Sequence, residues 1–253
     1  MTSTALEAVD LSFTYGDGTS ALESVSLAVA PGEVVAVLGP SGAGKSTLLR
    51  CLAGLERPSA GRVVFEGGDL ETLGARSRRA ALSRIGMVFQ EFQLVDSATA
   101  LSNVLVGRLY AAHPVVSLLH VMSRADRQLA VETLLRLGLE GQLRKRADAL
   151  SGGQRQRVGL ARALVQEPTV LLADEPVANL DPVLAGLVLD HVVALARTRA
   201  MAAVLNLHEV ALARQVADRV VGLREGSVQF DLPAAQVSDE LLAALYAGEV
   251  HAT

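Results

Sequence analysis

The alternation of apolar and polar positions divides the chain into stretches of different period. Ala8 to Tyr15, Ala21 to Val29 and Arg62 to Glu66 are short and half apolar, and Gly16-Asp17-Gly18, Pro31-Gly32 and Gly67-Gly68 punctuate them. Half-buried strands joined by tight turns leave this signature, so the first third predicts an antiparallel β flank. Val34-Val35-Ala36-Val37-Leu38, Val170-Leu171-Leu172-Ala173 and Ala202 to Leu207 are instead unbroken apolar runs. Strands covered on both faces read this way, and their interleaving with helical patterns predicts the parallel sheet of an α/β core. From about Phe92 to Val165 the period turns helical, most clearly over Leu101 to Leu109 and Arg124 to Leu137. That stretch predicts a helical subdomain inserted between core strands. Near the end, Leu241, Leu242, Leu245 and Tyr246 predict a helix packed on the core. The expectation is one domain over residues 1–253: a core with its β flank over about 1–90 and 166–230, a helical subdomain over about 91–165, and a C-terminal helix within about 231–253.

Composition narrows the class. Half of the 253 residues are apolar and the formal charge is only −4, which excludes a disordered chain. The acidic balance, the absence of tryptophan and the few aromatics argue against a dedicated nucleic-acid binder. Cys51, the one cysteine, cannot form an internal disulfide, and its setting among Leu48, Leu49 and Leu52 predicts a buried, inert thiol. The opening MTSTALEAVD lacks a signal-peptide layout, and no apolar run approaches the ~18 residues of a membrane span. A cytoplasmic chain is expected, reaching a membrane only through a partner. Arg76, Arg78, Arg79 and Arg84 read as a solvated helix face.

Three motifs carry chemistry. Gly39-Pro40-Ser41-Gly42-Ala43-Gly44-Lys45-Ser46 follows the apolar run ending at Leu38 and opens a helix at Thr47. It fits G-x-x-x-x-G-K-[ST] in strand, loop, helix context: backbone N–H groups converge on phosphate oxygens, aided by the helix N-terminus. Lys45 adds a point charge for the β- and γ-phosphates, and the Ser46 hydroxyl is placed to bind Mg²⁺. Thr169-Val170-Leu171-Leu172-Ala173-Asp174-Glu175 delivers two carboxylates at the end of a buried strand, the edge where open α/β sheets bind ligands. Asp174 is expected to hold Mg²⁺ through a water, and Glu175 to act as general base on the attacking water, a role worth ~10²–10⁴ in rate. Leu150-Ser151-Gly152-Gly153-Gln154 opens a second polar helix start. Alone it is an N-cap; beside a phosphate loop it is a second anion device. Two such devices on one chain are most simply reconciled by a head-to-tail dimer in which each chain completes the other's site.

The order GPSGAGKS, LSGGQ, LLADEP, with Gln90 between the first two and His208 after the third, resembles the ATP-binding cassette subunit of ABC transporters from Tyr15 to at least Gly226. The resemblance implies an ATPase using ATP and Mg²⁺ on a P-loop core. It assigns Tyr15 to adenine stacking, and Gln90 to sensing Mg²⁺ and water and linking the site to the membrane subunit. It places Ser151, Gly152, Gly153 and Gln154 on the partner's nucleotide. Asp181 becomes the acidic member of a loop coupling two sites, with Asn179 where serine is commoner, and His208 the histidine facing the γ-phosphate. His113, His120, His191 and His251 match nothing. Among importers the likeness is greatest to phosphonate-importer ATP-binding subunits: Ile85 to Val95, Asn103 to Leu109, Asp174 to Ala178, Asn206-Leu207-His208, Ala217 to Leu223 with Phe230-Asp231, and an extra segment over Ala112 to Arg124. Implied partners are a second copy, integral membrane permease subunits and a periplasmic or lipid-anchored substrate-binding protein at the cytoplasmic face of the membrane, with no nucleic acid. An ATPase of another ABC system (amino acid, metal, lipoprotein or division type) is the same-fold alternative, and a soluble regulatory cassette the more distant one.

Overall fold

The computed structural model describes residues 4–109 and 122–247. Most of the extra segment at 112–124, with His113, His120 and His251, therefore lies outside the described residues. The N-terminal strands β1 (Leu6–Thr14) and β2 (Ser20–Val29) pair antiparallel, and β1 also pairs with β4 (Ala60–Phe65), which continues to the short β5 (Gly68–Asp69). This four-stranded antiparallel sheet is the expected flank. The second sheet has the order β10-β9-β3-β8-β7-β6. Its members are β3 (Val34–Leu38), β6 (Ile85–Val88), β7 (Val170–Asp174), β8 (Ala202–Asn206), β9 (Arg219–Arg224) and β10 (Ser227–Pro233). All neighbours in it run parallel except β10 on β9.

The unbroken apolar runs have the physical cause proposed for them. Every residue of β3, β7 and β8 is buried. Val35 and Val37 join the core beneath the antiparallel flank, while Val34, Ala36 and Leu38 join the core on the other face. The flank-side core also takes α1 (Lys45–Leu52) through Leu48, Leu49 and Leu52, and the opposite core takes most of the helices. These are α3 (Ala100–Leu105), α4 (Arg124–Arg136), α5 (Gly152–Leu164), α6 (Pro182–Arg199), α7 (Val210–Val216) and α8 (Asp239–Leu245), whereas α2 (Ala75–Leu82) buries no residue.

Two details depart from the sequence pattern. The helix expected over Leu101 to Leu109 ends at Leu105 and tightens into a 3₁₀ turn at Val106–Arg108. There Gly107 lies against the end of α5, where an added Cβ would sit 2.3 Å from the Arg162 carbonyl oxygen. Arg108 locks the turn by bonding Asp126 and the Val165 carbonyl, at 2.7 and 3.1 Å. Arg84 is not on the solvated face of α2: it follows the helix, grips Glu66 with two hydrogen bonds and lies 5.5 Å from the Phe65 ring.

Cys51 is fully buried on α1, and burial pushes its thiol up to about 12. Because the thiolate is the reactive form, the native protein at pH 8 is expected to resist a soluble disulfide reagent and to react stoichiometrically once unfolded in urea. Fast reaction of the folded protein would contradict this packing.

Candidate functional site

The strand β3 delivers the chain into the phosphate loop at Gly39, and α1 begins six residues later at Lys45. Glycine is required at both ends of that loop. Gly39 (φ 153°) would place a Cβ 1.9 Å from the Leu223 carbonyl oxygen, and Gly44 (φ 100°) one 2.3 Å from that of Ala21. The Gly39 N–H donates to the Tyr246 hydroxyl at 3.2 Å, so the C-terminal helix contributes a contact to the loop. Lys45 is buried, and its Nζ donates to the carbonyls of Gly39 and Pro40 at 2.6 and 2.9 Å. The ammonium is thus stored over the loop, within the concavity that backbone N–H groups and the helix start make favourable for anions.

Beside this loop, β7 and β8 place Asp174 and Asn206 opposite one another in register. Both are buried. Asp174 Oδ1 accepts from Ser46 Oγ at 3.1 Å and from Asn206 Nδ2 at 2.8 Å. Asn206 Oδ1 is left buried without a hydrogen-bond partner. Turning the amide over would set that oxygen against the carboxylate, so the arrangement keeps an acceptor in reserve. Ser46 and Asp174 bring together one hydroxyl and one carboxylate, an oxygen donor pair whose chemistry suits Mg²⁺ completed by water and phosphate oxygens.

One residue on, Glu175 adopts a left-handed backbone (φ 52°) and its N–H donates to the Asn206 carbonyl at 3.2 Å. This turn separates the two acidic side chains. The Glu175 carboxylate sits 2.6 Å from His208 Nε2 through Oε1, and accepts from Gln90 Nε2 at 3.1 Å through Oε2. Gln90 follows β6 and His208 follows β8, so Glu175, Gln90 and His208 converge from three adjacent strands. Tyr15, just past β1, stands at the rim: it is 37% exposed, its hydroxyl lies 2.8 Å from Thr47 Oγ1, and Phe13 braces its ring edge-on at 5.0 Å.

Ser151 to Gln154 belong to a different place. Ser151 caps α5, its Oγ accepting from the Gln154 N–H at 3.3 Å while the Gln154 side chain accepts from the Ser151 N–H at 3.1 Å. These bonds stay within the helix start and do not reach the phosphate loop. The Ser151 hydroxyl hydrogen can still be donated outward. At Gly153 a Cβ would lie 2.8 Å from the Asn179 carbonyl oxygen, so the glycine lets the segment before Asp181 pack on the helix start. Asp181 is itself the N-cap of α6, accepting from the Leu184 N–H at 3.0 Å. His191 is half-buried on α6 away from these groups, its pKa lowered by burial and by the charges of Arg136 and Arg199.

Gln156 escaped the motif reading. It is 2% exposed; its Nε2 donates to the Glu175 carbonyl and its Oε1 accepts from the Asn179 N–H at 3.0 Å. One amide thus joins the LSGGQ helix, the Glu175 turn and the Asp181 segment. The available signal was a polar residue sharing a helix face with Leu160 and Ala163.

Comparison with known proteins identifies the family. The ABC transporter family model matches residues 22–178, more than half of the chain. A phosphonates import ATP-binding protein of Alcaligenes faecalis is 48% identical over 244 residues, covering 96% of this chain and 88% of its own length. One from Rhodopseudomonas palustris is 46% identical over 235 residues, covering 93% and 84%. A dimeric ATP-binding cassette solved in a post-hydrolysis state with ADP and phosphate superposes with a TM-score of 0.83 at 31% identity, covering 90% of this chain and 98% of that one. The cbiO1 protein of Clostridium perfringens, part of the cbiONQ ABC transporter complex, gives 0.78 at 29% identity, covering 96% and 94%. With close to half its residues shared over almost its full length, the chain belongs to the ABC transporter family, as one of its ATP-hydrolysing ATP-binding cassettes.

Proposed function

We propose that this cassette powers the import of phosphonates or closely related phosphorus oxyanions, hydrolysing ATP at the site formed by the phosphate loop, Asp174 and Glu175. The observation that carries the hydrolytic reading is the placement of the Glu175 carboxylate, oriented by Gln90 and His208 and set one residue from Asp174 beside Ser46. The cargo follows the naming of the relatives, which are 45–48% identical over nearly the whole chain.

ATP would lie with its adenine on Tyr15 and its phosphates in the loop of Gly39, Pro40, Ser41, Gly42, Ala43, Gly44, Lys45, Ser46 and Thr47. An incoming triphosphate draws the Lys45 ammonium from two neutral carbonyls to phosphate oxygens, a charge-assisted exchange that favours binding. Ser46, Asp174 and Gln90 are the residues that would hold Mg²⁺, which would supply charge neutralisation at the phosphate oxygens. Glu175 accepts the proton of the attacking water, Gln90 and His208 fixing its two oxygens so that one lone pair faces the water. His208, at a γ-phosphate oxygen, adds a donor where negative charge develops.

The chain supplies Ser151, Gly152, Gly153 and Gln154 away from its own phosphate loop, so the second anion device serves a second copy. Two chains, head to tail, enclose two ATP molecules, Ser151 of each binding the other's γ-phosphate and Asp181 lying between the sites. Separation of the γ-phosphate removes the bridge and lets the pair reopen. A cleft of about 710 Å³ lined by Met87, Phe89, Gln93, Val106 and Gly107 opens beside Gln90. It is the proposed seat for a short helix of a membrane permease subunit at the cytoplasmic face, with a periplasmic or lipid-anchored binding protein delivering cargo on the far side.

Glu175→Gln is expected to lower kcat by about 10²–10⁴-fold while leaving ATP bound, and to elute as a dimer in MgATP by size-exclusion chromatography. Lys45→Ala should lose nucleotide binding by calorimetry and remain monomeric. A monomeric Glu175→Gln protein in saturating MgATP counts against the sandwich. For the cargo, cells lacking the chain should regain uptake of labelled alkylphosphonate with wild type and not with Glu175→Gln. Uptake indifferent to the deletion removes the phosphonate assignment and leaves the ATPase intact.

A further inference from the structure

Directly after Gln90 the backbone is held where non-glycine residues rarely go. Phe92 and Gln93 are consecutive left-handed residues, φ 54° and 46°. Left-handed backbone is sterically unfavourable for residues that carry a Cβ, so something must hold the pair. The segment runs between two fixed posts. Val88 is paired in the sheet with Ala173, and Val95 is bonded through both its N–H and its carbonyl to the buried Asn103 side chain, at 2.8 and 3.1 Å. With the ends fixed, relaxation at Phe92 or Gln93 must displace the residues between them, Gln90 included.

The holding groups come from α5. Arg162 donates through Nη2 to the Phe92 carbonyl at 2.9 Å and through Nη1 to the Gln93 carbonyl at 2.7 Å. Its guanidinium spans both strained peptides like a staple. Burial alone lowers its pKa, and no carboxylate forms an ion pair with it among the described residues. A half-buried cation directed at two neutral carbonyls is an unusual use of charge, since desolvated cations are ordinarily matched by anions. Two turns earlier on the same face, Arg155 lies 5.8 Å from the Phe92 ring and binds Asp96 at 2.7 Å, and the Phe92 backbone packs near Gly159.

We infer that Arg162 is a positioning residue for hydrolysis: by stapling the carbonyls of Phe92 and Gln93 it keeps the loop in the left-handed pair that presents Gln90 to Glu175. The inference rests on the role proposed above for Glu175 and Gln90. It also gives the LSGGQ helix two separate grips on the catalytic carboxylate, one through Gln156 to the Glu175 backbone and one through Arg162 to the Gln90 loop.

The test uses the purified full-length chain, with ATP turnover and nucleotide binding measured separately. Arg162→Lys keeps the charge and loses the two-pronged geometry. It should lower kcat by between about 10- and 100-fold, the scale of a catalytic group misplaced by an ångström, with KM for ATP and the urea unfolding midpoint close to wild type. Gln93→Gly, which adopts the left-handed region without strain, is measured alone as the reference for the double variant. Combined with Arg162→Lys it should recover most of the lost kcat. A merely structural arginine would not give this rescue. Unchanged kcat in Arg162→Lys overturns the inference, as does a loss that appears equally in KM and stability and is not relieved by Gln93→Gly. Glu175→Gln run alongside separates the two readings: full turnover by that variant removes the hydrolytic assignment itself, whereas an inactive Glu175→Gln with an active Arg162→Lys removes only the staple.

Discussion

The candidate hydrolytic site depends on parallel strands ending together at one sheet edge. The order β3-β8-β7-β6 sets four strands side by side. Their C-terminal ends release, in spatial sequence, the Gly39 loop, the Leu207-His208 segment, Asp174-Glu175 and Phe89-Gln90. Neighbouring parallel strands lie about 4.8 Å apart, so groups far apart in sequence arrive within hydrogen-bond reach with no need for long loops. Ser46 meets Asp174 across 128 positions and Gln90 meets Glu175 across 85. The full burial of β3, β7 and β8 on both faces makes that edge rigid, and the site inherits its precision from the core.

Within that frame, local backbone conformation decides which way each charge points. Asp174 ends a regular strand and is directed to the face that carries α1, where Ser46 waits. The left-handed turn at Glu175 breaks the alternation and sends the next carboxylate to Gln90 and His208. Adjacent carboxylates on one strand end thereby acquire different neighbours, and so different chemistry. The strain of that turn is offset by its own bonds: the Glu175 N–H on the Asn206 carbonyl, and the Gln156 amide on the Glu175 carbonyl. Strained residues persist where the surroundings over-determine them, and the same logic governs Phe92 and Gln93.

Much of this was legible in the sequence because the strongest signals are those of fully buried strands and glycine loops. Val34 to Leu38 and Val170 to Ala173 stand out because nothing polar interrupts them, Ala202 to Leu207 because only Asn206 does, and the Gly39 to Ser46 motif because only glycine tolerates the approach of the Leu223 and Ala21 carbonyls. The short β6 gave no period of its own at four residues, and β9 and β10 carry Arg219, Arg224 and Asp231, whose charges mask the strand pattern. The 3₁₀ end of α3 was hidden for a different reason: Gly107 answers to the backbone of α5, a contact with no trace in local spacing. Gln156, Arg162 and Tyr246 belong to the same class. Each acts on a backbone carbonyl or N–H of a distant segment, and backbone partners leave no residue-type signature at the other end.

These backbone contacts bear on how, in the proposed assembly, the cassette would drive a motion in a membrane partner. The proposed closure places Ser151 on the nucleotide of a second copy, so the helix α5 would be loaded from its N-terminus. Gln156 lies on that helix one turn from the cap and Arg162 near its other end, gripping the Glu175 turn and the Gln90 loop respectively. A helix is stiff along its axis, whereas the loops it holds have no regular hydrogen bonding of their own. A displacement of α5 would therefore reach the Glu175 backbone through Gln156 and one oxygen of its carboxylate through the Gln90 loop, as well as the wall of the cleft where Gln93 and Arg162 lie together. On this reading nucleotide, catalytic base and cleft are coupled through one rigid element, and no part of the cassette needs to recognise the cargo.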